Sequence, residues 1–362
     1  MHTEQHLVDV AVIGGGQAGL AAGYFLRRAK ADFVILDDHD RPGGAWPQYW
    51  DSLRLFSPAA HSMLPGWWMP EEEGQEYPSA SHVSWYLGEY ERRYDLPVHR
   101  PVRVRRVERA DDRLRLVTGG DTWLARRVIS ATGTWRAPYT PDIPGRDVFE
   151  GEQLHTVEYR RPDEFAGRRV VVVGGGNSAA QILAELSSVA RTTWATPRPP
   201  RFLPDDIDGR ALFAIATGAQ KAAAQGGPEP SSIGDLGDIV VVPSVREARE
   251  RGALKAEPMF DHLTRTGVAW ADGSTQDCDV ILWCTGFRPV LDHLAPLVTG
   301  DRWGRVEVEG TRVVAEPRLH LLGYGDWTGP TSATLIGAAR TAKATVAQIT
   351  RDLEGGVPAA RR

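Results

Sequence analysis

The segment Val10-Ala11-Val12-Ile13-Gly14-Gly15-Gly16-Gln17-Ala18-Gly19 has a second copy 160 positions downstream, Val170-Val171-Val172-Val173-Gly174-Gly175-Gly176-Asn177-Ser178-Ala179. Each copy runs from an apolar stretch of strand length through glycines into a helix-forming segment. A chain that turns from a buried parallel strand into a helix on glycines builds a βαβ unit. The turn can then approach a pyrophosphate, which rests on the helix N-terminus. One such motif is weak; two at the heads of successive units predict an α/β fold. Its architecture is two Rossmann-like, three-layer ββα dinucleotide-binding domains.

The residues downstream of each turn separate the two sites. A strand over 32–36 ends in Asp37-Asp38, and Asp37 stands 18 positions after Gly19, where an acid accepts hydrogen bonds from ribose hydroxyls. In the second copy a strand over 192–195 ends in Pro197-Arg198. An acid would repel a 2′-phosphate, whereas a cation binds it. The first site therefore suits a dinucleotide with a free 2′-OH and the second suits NADPH. Arg198 is the expected phosphate ligand, and Arg201 competes for that role.

Composition narrows the partners. A formal net charge of −5 without like-charge blocks argues against nucleic acid and anionic membrane. No stretch approaches the roughly 18–20 apolar residues of a membrane span, and residues 1–9 contain no apolar targeting run, so a cytoplasmic protein is expected. Cys278 and Cys284 are too few and wrongly spaced for a disulfide framework, a zinc site or a CxxC pair. Asp205, Asp206 and Asp208 lack a completing ligand and read as a solvated turn, so no metal is expected. Residues 217–230, rich in Ala, Gly, Gln and Pro, read as a mobile excursion. Five of 12 tryptophans (Trp46, Trp50, Trp67, Trp68 and Trp85) fall within 40 positions. That stretch is either an irregular core or the wall of an aromatic pocket.

Elsewhere the spacing predicts a helix over 82–94, strands over 98–107, 113–117 and 122–129, and a last strand over 319–322. A closing helix over 332–353 would begin near Asp326 and could stabilise an anionic ring at its N-terminus. Two strands end on small residues, at Ala131-Thr132-Gly133 and at Cys284-Thr285-Gly286.

Between the two units lies Phe149-x-Gly151-x-x-x-His155-x-x-x-Tyr159. This spacing resembles the fingerprint of the class B flavin monooxygenases, which include flavin-containing monooxygenases, N-hydroxylases and Baeyer–Villiger enzymes. Gly43-Gly44-Ala45-Trp46, Ala131-Thr132-Gly133, Asn177-Ser178 and Cys284-Thr285-Gly286-Phe287 fall where that family has its other motifs. Tyr159 followed by Arg160 fits the flavin-containing form. The run over 50–58 and Gly325-Asp326-Trp327-Thr328-Gly329 resemble a compact bacterial branch associated with arsenic-resistance operons.

The resemblance implies FAD on Gly14, Gly16, Gln17, Ala18 and Gly19, with Asp37 and Asp38 at its ribose. It adds Gly44, Ala45, Trp46, Trp50, Val104, Ala131, Thr132, Gly133, Asp326 and Leu335 around the cofactor. NADPH is implied on Gly174, Gly176, Asn177, Ser178, Ala179, Arg198, Arg201, Cys284, Thr285 and Gly286. No side chain is a dedicated catalyst; Asn177, Trp50, Phe56 and Ser57 are the candidates for touching the reaction. Family members often carry an Asn near the flavin where this chain has Phe56-Ser57, so that role does not carry over. His155 is expected to order the linker and not to touch substrate. The implied chemistry is NADPH- and O2-dependent oxygenation of a soft nucleophile (S, N, Se or trivalent As) through a C4a-hydroperoxyflavin. An NADPH-dependent flavin reductase or oxidase, and a non-catalytic nucleotide-binding protein, remain alternatives. The partners are then a small-molecule substrate and O2, with a homodimer left open. Domain boundaries are expected at 1–160 (FAD), 161–275 (NADPH, inserted) and 276–362 (FAD again).

Overall fold

The computed structural model describes residues 4–205 and 239–355, so Asp206, Asp208 and the excursion over 217–230 lie outside the described residues. The chain divides into two units: Met1–Pro47, Ala59–Ala137 and Arg288–Arg362 form one, and Gln48–Pro58 with Pro138–Phe287 form the other.

The first unit opens with β1 (Gln5–Ile13), α1 (Gln17–Arg28) and β2 (Phe33–Leu36). It continues with α2 (Ala80–Arg93), β3 (Val98–His99), β4 (Arg106–Ala110), β5 (Arg113–Val117) and β6 (Thr122–Ser130). Then β1 pairs in parallel with β2 and β6, and β4, β5 and β6 form an antiparallel meander. Both faces of β1 are covered, which is why it reads as a continuous apolar run. Ala11 and Ile13 join the core cluster with Val107, Leu114, Leu116 and Trp123 of the meander. On the other face α1 approaches closely, because a Cβ on Gly23 would stand 2.8 Å from Ile35 Cδ1. The expected strand over 98–107 is two elements: β3 extends the main sheet beside β2, and only β4 enters the meander.

The second unit holds β7 (Glu152–His155), β8 (Arg169–Val173), α3 (Asn177–Leu186) and β9 (Arg191–Thr196). After them come α4 (Pro243–Glu250), β10 (Ala256–Pro258), β11 (His262–Leu263), β12 (Gly267–Ala269), β13 (Thr275–Asp277) and β14 (Val280–Trp283). Its parallel sheet has the order β10-β9-β8-β14-β7, with β11, β12 and β13 as a small antiparallel sheet. The chain then returns to the first unit through β15 (Val308–Glu309), β16 (Arg312–Val313), β17 (Leu319–Leu321) and α5 (Leu335–Glu354). There β17 pairs in parallel with β6.

The fold is thus α/β with two dinucleotide-binding Rossmann domains, the second inserted in the first. The expected boundaries at 160/161 and 275/276 need correction to 137/138 and 287/288. The reason is strand pairing: β14 ladders with both β7 and β8, so residues 152–155 and 280–283 belong to the inserted sheet. Gln48–Pro58 also belongs to that unit although its flanks belong to the first.

No helix among the described residues is long and apolar enough to cross a membrane. The tryptophan-rich stretch divides by environment: Trp50 is buried at 2% exposure, whereas Trp68 and Trp85 stand 66% and 47% exposed. Trp67 stacks on Tyr86, with centroids 5.0 Å apart.

Candidate dinucleotide sites

The two glycine turns share one construction. Gly14 N–H donates to Leu36 O (2.8 Å), and Gly174 N–H donates to Ala195 O (3.1 Å). Ala131 N–H donates to Ile13 O (2.8 Å), and Cys284 N–H donates to Val173 O (2.7 Å). Both first glycines lie at positive φ, +105° and +132°, where only glycine is unstrained. A Cβ on Gly14 would stand 2.5 Å from Ala131 O, and one on Gly174 would stand 2.2 Å from Cys284 O. The small-residue strand ends therefore back the turns. Cys284 acts through its carbonyl; its thiol is buried, with its pKa pushed up to about 12 by that burial.

The helices after these turns differ from two others. Ser79 caps α2 by accepting from His82 N–H, and Thr334 caps α5 by accepting from Gly337 N–H. No side chain caps α1 or α3, and neither has an acid in its first turn. Two helix N-termini are left with their partial positive charge available to an anion. Nothing lies within 4 Å of a Cβ built on Gly176, and Gly16 faces only the Gly44 Cα at 3.7 Å. Residues and space therefore fit a pyrophosphate on each helix end.

Around the first turn the structure gathers most of the expected residues. Trp46 Nε1–H donates to Gln17 Oε1 (3.0 Å), and Gln17 Nε2–H donates to Ala333 O (2.6 Å), just before Leu335 opens α5. Gly44, at φ +58°, packs on Gly16, where a Cβ would come within 2.8 Å of its Cα. Ala45 is half-buried beside them. Gly323, at φ +86°, packs against Ala18. Thr132 Oγ1 donates to Val290 O (2.6 Å), and Val290 N–H donates to Gly133 O (3.0 Å). Asp326 is exposed and accepts from Thr331 N–H (3.0 Å). Val104 is buried in the core cluster, which leaves its backbone as the part to meet a ligand.

Asp37 is 1% exposed and held on both oxygens, by Arg100 Nε–H (2.8 Å) and His39 Nδ1 (2.9 Å). Burial raises its pKa, but His39 and Arg100 outweigh that and hold the carboxyl below the usual carboxylate range. Arg100 also makes a bidentate pair with Glu91 at 2.9 and 3.0 Å. Asp38 pairs with Arg136. Motif spacing alone does not reveal Arg100. Its one available signal is the β2–β3 register, which pairs Leu36 with His99 and so sets Asp37 beside Arg100.

In the second unit Asn177 opens α3, and its Oδ1 accepts from Val240 N–H (2.8 Å). Ser178 follows half-buried, and Ala179 is fully buried where the first copy has Gly19. Arg198 is exposed and has no ion pair or hydrogen bond among the described residues. Arg201 is also exposed, with its backbone tied to Ile239. Thr285 Oγ1 donates to Tyr139 O (2.5 Å). Trp50, expected to touch the reaction, is instead packed at the edge of Tyr159, with centroids 6.3 Å apart. Phe56 and Ser57 are half-buried.

His155 is buried, and its ring is spoken for. Val157 N–H donates to Nδ1 (3.4 Å), so Nε2–H donates to Gly286 O (3.0 Å). Burial lowers its pKa, which keeps the imidazole neutral. That bond ties its ring to the turn after β14. Among the described residues one group with metal-ligand geometry appears, Asp37, Asp38 and His39. Its members serve the contacts above.

Residues 11–205 match the pyridine nucleotide-disulphide oxidoreductase family. A flavin-containing monooxygenase from Stenotrophomonas maltophilia superposes with a TM-score of 0.88 at 51% identity, covering 96% of this chain and 99% of that one. The chain belongs to the flavin-containing monooxygenases. An uncharacterized oxidoreductase CzcO-like protein of Geobacillus kaustophilus is 31% identical, over 92% of this chain and 95% of its own length. Indole-3-pyruvate monooxygenase YUCCA1 of Oryza sativa subsp. japonica is 29% identical, over 79% and 78%. A bacillithiol disulfide reductase from Bacillus cereus shares the fold at a TM-score of 0.71 and 19% identity. Membership makes this protein a flavin-dependent monooxygenase of the oxidoreductase class.

Proposed function

We infer that this monooxygenase oxygenates a soft nucleophile (sulfur, nitrogen, selenium or trivalent arsenic) with NADPH and O2. FAD and NADPH are its cofactors, FAD on the first glycine turn and NADPH on the second. The observation that carries this reading is the contrast behind two matching turns: a buried, ionised Asp37 after one and an exposed Arg198 after the other. When bound and reduced, FAD would supply an electrophilic oxygen drawn from O2.

The chain's own work is binding, orientation and exclusion of water. The α1 N-terminus would hold the FAD pyrophosphate, and Asp37 would accept from its ribose. Gln17 holds Trp46 to the loop before α5 and so fixes one aromatic wall. The Asn177 Oδ1 bond to Val240 N–H locks the entry to α3, which makes Asn177 an orienting residue. Cys278 and Cys284 are both buried, each thiol raised by burial to about 12, which supports direct oxygenation over a thiol relay.

Mixing the reduced protein with O2 in a stopped-flow cell tests the reading. A flavin–oxygen adduct that decays faster with added substrate is expected, followed by oxygenated product. Rapid direct reoxidation would mark a reductase, and failure of NADPH to reduce the flavin would leave a binding protein. Product mass over thioethers, amines, selenides and trivalent arsenicals names the acceptor atom.

Asp37→Ala should weaken FAD about 10–100-fold, the loss of one charge-assisted hydrogen bond of about 1.5–3 kcal/mol. Arg100 keeps Glu91 as partner in that variant, so the flavin-to-protein absorbance ratio after purification reports binding and not an orphaned charge. Full occupancy would remove Asp37 from the ribose.

A further inference from the structure

The fingerprint tyrosine and the arginine after it make contacts that the oxygenation reading leaves unused. Arg160 Nη1–H donates to Gln48 O (2.5 Å) and Tyr49 O (2.9 Å), while Arg160 O accepts from Asp51 N–H (3.0 Å). Tyr159, fully buried, donates its hydroxyl to Glu185 Oε2 (2.9 Å), and Ser52 Oγ donates to Glu185 Oε1. Trp50 rests against Tyr159, and Tyr159 against Phe165. All of these contacts lie within the second unit, and they engage Gln48–Ser52, the first five residues of Gln48–Pro58, a segment whose chain neighbours at both ends belong to the first unit.

The geometry points to a clasp: Arg160 and Glu185 are positioning residues that hold Gln48–Ser52, the entry to the stretch carrying Phe56 and Ser57, in one conformation, and thereby limit loss of reducing equivalents to peroxide. The link to peroxide rests on the oxygenation reading, in which Phe56 and Ser57 are candidates for touching the reaction. Two features favour a positioning device over ordinary packing. Arg160 spends its guanidinium on two successive main-chain carbonyls, which fixes backbone and not merely side chains. Glu185 sits in a carboxylate site where burial raises its pKa while the hydrogen bonds from Ser52 and Tyr159 oppose that rise. Glu185 lies in the last turn of α3, and a half-buried acid is costly unless its oxygens receive donors. Here the donors come from the stretch itself and from the fingerprint tyrosine.

The test compares flavin-loaded wild type with Arg160→Ala, Arg160→Lys, Glu185→Ala, Glu185→Gln and Ser52→Ala. Hydrogen–deuterium exchange of peptides spanning 48–58 reports the clasp without reference to chemistry. In Arg160→Ala and Glu185→Ala that exchange should quicken about 5–30-fold, the effect of losing one or two hydrogen bonds on a local opening equilibrium. Peptides from β8 and β9 should be unchanged. Arg160→Lys and Glu185→Gln, which keep a donor or an acceptor, should restore part of the protection. Ser52→Ala, at an exposed position, guards against misfolding as an explanation and should show a smaller rise. Flavin reduction by NADPH should keep its rate and its NADPH dependence, while the peroxide released per NADPH rises with substrate present.

Unchanged exchange over 48–58 in both alanine variants overturns the clasp. Faster exchange with an unchanged peroxide share keeps the clasp and overturns its link to coupling. Should wild type itself yield no oxygenated product, the oxygenation reading fails, and the exchange experiment still decides whether the clasp exists.

Discussion

Gly19→Ala should unfold or strongly destabilise the first unit, whereas Gly176→Ala should fold normally and bind NADPH poorly. A Cβ on Gly19 would stand 1.9 Å from Gly14 O, a backbone atom that is itself pinned between β2 and the strand end at Ala131. No flexible side chain can yield there, so the helix must back away from the turn. Overpacking of this kind costs about 1–3 kcal/mol and more when only backbone can move. For a unit of this size about 3 kcal/mol lowers Tm by roughly 6–12 °C. Flavin should be lost as well, because the same shift misplaces the N-terminus of α1. Gly176 differs on both counts. Its φ is −108°, open to any residue, and nothing lies within 4 Å of its Cβ position. The methyl group of Gly176→Ala would intrude only on an approaching pyrophosphate. Thermal denaturation and NADPH titration of both variants check the contrast. A Gly176→Ala protein with wild-type NADPH affinity would show that the dinucleotide does not cross that glycine.

Arg198→Ala should weaken NADPH about 10–100-fold and leave NADH nearly untouched. That range corresponds to one or two charge-assisted hydrogen bonds to a 2′-phosphate, each about 1.5–3 kcal/mol. The guanidinium is exposed just after β9 and engages no group among the described residues, so it has no internal bond to give up on binding. Arg201 sits three residues on, with its backbone held to the segment at Ile239: Ile239 N–H donates to Arg201 O, and Leu203 N–H donates to Ile239 O. Arg201→Ala is therefore the matching measurement. The variant that loses NADPH selectively identifies the phosphate ligand, and equal losses for both coenzymes in Arg198→Ala would place the phosphate elsewhere.

Much of the fold was legible because it is local. Strand, glycine turn and helix are contiguous in both copies, and the acid or arginine comes at a fixed offset within the same βαβ unit. The structure reproduces strand, glycine turn and helix in both copies, as β1 and α1 and as β8 and α3, and places β2 and β9 within a residue of the expected ends. The features that escaped depend on partners far along the chain. Arg100 is 63 positions from Asp37, and Ser52 is 133 from Glu185, separations at which no periodicity speaks. The domain boundaries failed for the same reason. Residues 152–155 carry no mark of their own that assigns them to one sheet or the other; only their pairing with β14 does so. Trp50 shows the limit of composition: a tryptophan in an aromatic run read equally as wall or core, and its neighbours Tyr49 and Tyr159 decided for core.

The backing of each glycine turn sets terms for anyone who would graft one of these sites onto another scaffold. The turn at Gly14 has its shape only against Ala131 O, and the turn at Gly174 only against Cys284 O. In each case the buttress arrives roughly a hundred residues later or more. A transplanted loop that copies the glycines alone brings half of the mould. The portable part is a pair of fragments, turn and strand end, moved together with their parallel register intact.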